Sequence, residues 1–188
     1  MSAVLTGGFA DPAIQSAEAF RALLEAMARP GRIFTVAGAE PPAPLSVAAG
    51  VALLVLTDST TPLHLAGDAD CAAVRGWIAF HTGAPLVAAE AAQFAVGRWD
   101  DLCPVDRFRI GEPSYPDRSA TLIVEMDRLE ADGPRLTGPG IETEARLSLP
   151  ETAVFQANRR LFPLGFDTIL TCGERLAALP RSTRVEDR

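Results

Sequence analysis

Ala120-Thr121-Leu122-Ile123-Val124-Glu125-Met126 is an apolar run with little polar alternation. A strand with one wet face alternates apolar and polar residues, whereas a strand covered on both faces does not need to. The run therefore predicts a central strand with layers on both sides. Working outward, strand-like and helix-like segments alternate, which predicts an α/β fold: one three-layer domain with a mixed central sheet, spanning residues 1–188 with a core at about 9–184.

Upstream, residues 97–117 are rich in turn formers and broken by Glu112-Pro113 and Tyr115-Pro116, and 91–96 reads equally well as helix or strand. Asp11-Pro12 is a turn or a helix cap. Ser16 is placed to cap a helix over 17–28, with Phe20, Leu23, Leu24 and Met27 on one apolar stripe, ended by Arg29-Pro30-Gly31. Ser46 caps a buried helix through Leu56, and Asp68 caps a third over 69–81. Short strands are expected at 33–36, 61–66 and 85–88.

Downstream, Leu136-Thr137-Gly138-Pro139-Gly140-Ile141 brackets a proline with two glycines. Proline fixes φ and offers no N–H, while glycine takes φ > 0 freely, so the segment is a tight turn between strands. It is either a rigid connector or a small anion cradle built from convergent N–H groups. A strand at 145–149, a helix at 150–160, a punctuated turn from Phe162 to Asp167 and a strand at 168–172 follow.

Composition narrows the function. The formal net charge of −7 argues against a nucleic-acid or membrane-surface protein. No segment approaches the ~18 apolar residues of a spanning helix, and the start of the chain carries no signal-peptide pattern. Three scattered cysteines and two histidines suit reduced thiols in a cytoplasm and leave little for a metal site. All 17 basic residues are arginine. Without lysine, a pyridoxal-phosphate aldimine or a standard Walker A loop cannot be built.

Several segments together resemble one family. They are Phe20-Arg21 through Met27-Ala28-Arg29-Pro30-Gly31, Trp77 to Phe80-His81-Thr82-Gly83, Gly111-Glu112-Pro113, Leu136 to Ile141, Asn158 to Asp167, and Leu179-Pro180-Arg181-Ser182-Thr183. In order and spread the set resembles the H subunit (PhnH) of the bacterial phosphonate carbon–phosphorus lyase core complex. That resemblance implies a reduced type I pyridoxal-phosphate transferase core without the cofactor. It also implies a homodimer in isolation and assembly with the G, I and J subunits, which attach phosphonate to a nucleotide ribose. The expected role is an accessory, non-catalytic subunit. A free-standing enzyme acting on a phosphorylated substrate and a ligand-free adaptor are the competing readings.

The candidate ligand-binding residues are Gly138, Gly140, Arg29, Arg181 and Asp167, for a phosphonate or nucleotide. Arg29, Arg32, Arg181 and Arg184 each flank a proline or glycine turn, and fixed backbone would pre-orient Arg29 and Arg181 as anion forks. Asp167 would contact a ribose hydroxyl or cap the following segment. Cys71 and His81 lie ten residues apart, about 15 Å along a helix at ~1.5 Å per residue, too far for proton transfer. Neither Ser119 nor Ser148 sits in a nucleophile elbow. No catalytic set, metal or cofactor is expected. Arg181→Ala is expected to spare folding and weaken anion binding.

Overall fold

In the computed structural model, which describes residues 6–187, the run around Leu122 is the middle of a six-stranded sheet. The chain reaches it through α1 (Pro12–Ala28), β1 (Phe34–Thr35), α2 (Val47–Leu56), β2 (Leu63–Leu65), α3 (Ala72–His81), β3 (Phe94–Arg98), α4 (Trp99–Leu102) and the hairpin β4 (Ile110–Glu112) and β5 (Tyr115–Ser119). The run itself is β6 (Thr121–Glu125). After it come β7 (Arg135–Thr137), β8 (Ala145–Arg146), α5 (Thr152–Arg160), β9 (Asp167–Cys172), β10 (Arg175–Leu179) and β11 (Arg184–Glu186). The two ends of the expected domain span, residues 1–5 and 188, lie outside the described residues.

The sheet order is β1-β10-β9-β6-β3-β2. Strands β2, β3, β6 and β9 are parallel, while β10 and β1 add antiparallel strands at one side, so the sheet is mixed. Alternate residues feed two cores. Val96, Ile123, Ile169 and Leu176 pack with α1, α2 and α3 on one face. Ala95, Leu122, Val124, Leu170 and Ala177 pack with Trp99, Phe155 and Phe166 on the other. Both faces of β6 are covered, which is why its sequence lacks alternation.

Some boundaries differ from expectation for identifiable reasons. Helix α1 starts at Pro12 because Asp11 accepts the Ile14 N–H at 3.3 Å and proline is preorganised at the first helical position. Ser16 then lies inside the helix, its hydroxyl turned back to the Pro12 carbonyl. Ser46 caps α2 as expected, accepting from Ala49 N at 3.2 Å. Cys71, not Asp68, precedes α3, because residues 67–69 form a separate 3-10 turn. The expected strand at 85–88 shrinks to one bridge between Leu63 and Leu86. A second, three-stranded sheet of order β11-β7-β8 carries the glycine turn at the end of β7.

Candidate functional site

Strand β7 pairs with β11, Thr137 opposite Arg184, so the Gly138-Pro139-Gly140 turn is delivered beside the Pro180–Thr183 segment. Gly138 (φ +130°) lies against Ser182 and Thr183. Gly140 (φ +80°) lies against the end of α1, and a Cβ there would overlap the Ala28 carbonyl oxygen. Glycine is needed at position 140 on both counts, conformation and close approach. The turn closes with Ile141 N–H donating to Gly138 O at 3.1 Å. A cleft of about 470 Å³ opens there, walled by Met27, Ala28, Pro116, Pro139, Gly140, Phe162, Asp167 and Arg181 among others.

The polar centre of this cleft is a knot around Arg181. Its backbone N–H donates to Asp167 Oδ1 at 2.8 Å, and its Nε to the same oxygen at 3.1 Å. Nη1 donates to Pro116 O at 2.8 Å, and Nη2 to Asp167 Oδ2 and Ser119 Oγ. The two ionic side chains are only 13% and 17% exposed. The guanidinium therefore ties together the end of β5, the start of β9 and the turn after β10. Asp167 caps that turn and neutralises the arginine. Nearly all of the Arg181 fork is committed inside the protein.

The other candidates divide around the cleft. Gly140, Asp167 and Arg181 are brought together, and Gly138 supports them from behind. Arg29 is not on the wall; it reaches back one helical turn to Glu25 at 3.1 Å and stays half-exposed. Arg184 is an exposed residue of β11. Cys71 and His81 stand at opposite ends of α3, with His81 Nε2 3.1 Å from Thr6 O. Among the described residues, no group of three or more His, Cys, Asp or Glu is placed to hold a metal ion, and no helix is long and apolar enough to cross a membrane.

A second cleft, of about 360 Å³, lies at the carboxyl ends of β3 and β6, lined by Arg98, Trp99, Glu125, Asp127, Arg128 and Ser148 among others. Glu125 Oε1 accepts the Ser46 N–H at 2.7 Å and Oε2 the Thr171 hydroxyl at 3.1 Å. Burial pushes the Glu125 carboxyl above its usual range, opposed by those hydrogen bonds and by Arg98. Asp127 is held below its usual range by its bond to Arg98, 2.7 Å away. Sequence reasoning missed this group. The signal was there: arginine closes one buried strand and glutamate the next, with Asp127-Arg128 following.

A family model described as "Bacterial phosphonate metabolism protein (PhnH)" matches residues 7–186. The chain belongs to the PhnH family. Among its relatives is "Alpha-D-ribose 1-methylphosphonate 5-triphosphate synthase subunit PhnH" of Rhizobium meliloti (strain 1021), 39% identical across 98% of this chain and 97% of that protein. Another is "Putative C-P lyase subunit protein HtxG" of Stutzerimonas stutzeri, 32% identical across 89% of this chain and 84% of that protein. The matched span takes in both clefts, so PhnH membership extends to the glycine turn, the Arg181 knot and the carboxyl ends of the parallel strands.

Proposed function

We propose that this PhnH-family chain is the accessory H subunit of a carbon–phosphorus lyase complex, acting in phosphonate catabolism as one domain. Its partners in this reading are the G, I and J subunits, its setting the cytoplasm, and its contribution the attachment of phosphonate to a nucleotide ribose without a catalytic set of its own. The observation that carries the reading is likeness over nearly the full chain to a protein named as a subunit, and over most of it to a second named as a putative subunit.

The surface supports an assembled role. Phe20 (51% exposed) and Leu24 (56%) sit on α1 about two turns and one turn before Met27, which enters the Arg181 cleft. Phe162, close to half-exposed, also lines the cleft, and exposed Leu161 precedes it in the chain. Large apolar side chains gathered on one face mark an interaction site. The cleft's ionic pair is neutralised internally, which suits an apolar polypeptide partner better than an anion. We assign Gly140, Asp167 and Arg181 to the wall of this docking face, with Gly138 behind it and Arg29 beyond it. In isolation the same face would close on a second copy, giving the homodimer. A free-standing enzyme would need Arg181 for its anionic substrate, and that fork is already committed.

Complementation tests the reading. In a bacterium growing on methylphosphonate as sole phosphorus source, deletion of its own H-subunit gene should stop growth, and this chain should restore it. Growth failure despite soluble expression beside compatible G, I and J subunits would contradict the proposal.

A further inference from the structure

Arg159, the penultimate residue of α5, spends none of its side-chain donors inside the protein. Among the described residues it forms no ion pair and no side-chain hydrogen bond, and its Nε is buried without a partner. Its guanidinium carbon lies 4.8 Å from the centroid of the Phe162 ring. Phe162 is 49% exposed and walls the Arg181 cleft, so the cation rests on an aromatic surface of the face assigned to docking. No neighbouring charge accounts for this placement. Asp167 is consumed by Arg181, and Glu151, at the other end of α5, takes the Trp99 N–H. The remaining carboxylate of the cleft wall, Asp117, forms no ion pair with Arg159.

A guanidinium carries five N–H donors and no acceptor. While the face is open, water satisfies those it can reach. Once Phe162 is covered, the cation on its ring is covered with it, and a desolvated arginine left without an acceptor is among the costliest groups in an interface. Whatever covers Phe162 must therefore bring an acceptor to Arg159. A carboxylate answers the planar fork with two parallel hydrogen bonds and neutralises its charge, which a lone carbonyl oxygen does not. The aromatic ring occupies only a face of the guanidinium and leaves its edge for that in-plane pairing. Arg181, at the centre of the cleft, is closed to an anion; Arg159, beside it, is open to one. Asp117 is also without an ionic partner among the described residues, so the demand for a carboxylate is local to Arg159 and does not extend to the whole face.

We propose that Arg159, seated on Phe162, is the polar anchor of the docking face, and that the polypeptide occupying the cleft presents an aspartate or glutamate side chain to it beside its apolar contacts. The existence of that partner rests on the subunit reading; the carboxylate follows from the unspent guanidinium.

Titration of the full chain against the captured G, I and J subunits tests the anchor. Arg159→Met keeps the aliphatic stem over Phe162 and removes the charge. In the isolated chain its melting temperature should stay within about 2 °C of wild type, because the guanidinium bonds to nothing in its own chain. Toward the partners it should weaken binding about tenfold to a hundredfold, the worth of the charge-assisted bonds it gives up. Arg159→Lys should recover part of that loss by restoring the charge without the fork. Arg159→Glu should bind more weakly than Arg159→Met through like-charge repulsion. Raising the salt from about 0.1 M to about 0.5 M should weaken wild type more than Arg159→Met. Equal affinity of wild type and Arg159→Met overturns the anchor, as does an Arg159→Glu variant that binds no more weakly than Arg159→Met. A melting temperature lowered well beyond the expected margin makes Arg159 a structural residue and overturns it too. Each of these outcomes leaves the subunit reading standing as long as the wild-type chain binds; a wild-type chain that binds none of the partners defeats both.

Discussion

Arg181 shows how a residue can be conspicuous in sequence for one chemistry and used for another. Its proline neighbour and fixed backbone did mark a pre-oriented fork, but the anion it meets is Asp167, already in the chain. Sequence separation of 14 residues hid that pairing, since nothing local says that the turn after β10 folds back on the start of β9. The expectation that Arg181→Ala spares folding therefore changes. Removing one partner of a largely buried pair should lower stability by about 3 kcal/mol, read as a shift in urea midpoint. Arg181→Leu with Asp167→Leu should recover much of it. A single Arg181→Ala within about 0.5 kcal/mol of wild type would refute the knot. Glu125 gives a pH prediction. A carboxyl raised by burial above its ordinary 4.5 favours folding while protonated and loses that contribution as pH climbs through its folded titration. Glu125→Gln should therefore gain stability relative to wild type between pH 4.5 and neutrality. A difference flat with pH would contradict the burial.

At the scale of elements, the sequence disclosed the buried parts best. The unalternating run of β6 and the apolar helix α2 were legible because burial on all sides leaves a compositional mark. The hairpin β9–β10 was half-seen. Gly173-Glu174 joins its strands with Cys172 opposite Arg175, and glycine at φ +59° in the first loop position is a tight-hairpin signal. Strands β7 and β11 left almost no mark, being three residues long, partly charged, and paired across some fifty residues of chain, whereas the strand expected at 145–149 is present as the shorter β8. The glycine turn's location was legible; its neighbours were not. Two glycines separate conformation from packing. Gly173→Ala meets nothing within 4 Å and should cost about 1–2 kcal/mol for its positive φ alone. Gly140→Ala adds an overlap with the Ala28 carbonyl and should cost distinctly more. Equal losses in thermal melts would show that the turn is not held against α1.

At the scale of the whole molecule, two clefts differ in character: one has its ionic pair closed on itself, the other is charged and open. That division was invisible in sequence because each cleft draws on segments far apart in the chain. The central claim is that this is a complex subunit meeting its partners through the face around Phe20, Leu24 and Phe162. Co-expression with the G, I and J subunits, followed by affinity capture of one partner and sizing of the product, tests it most directly. Wild type should co-purify in fixed stoichiometry. Leu24→Asp with Phe162→Asp, both exposed and so expected to change stability by less than about 0.5 kcal/mol each, should fold normally and be lost from the complex. Wild-type chain that elutes alone while its partners assemble, or a double variant retained at full stoichiometry, would contradict the account.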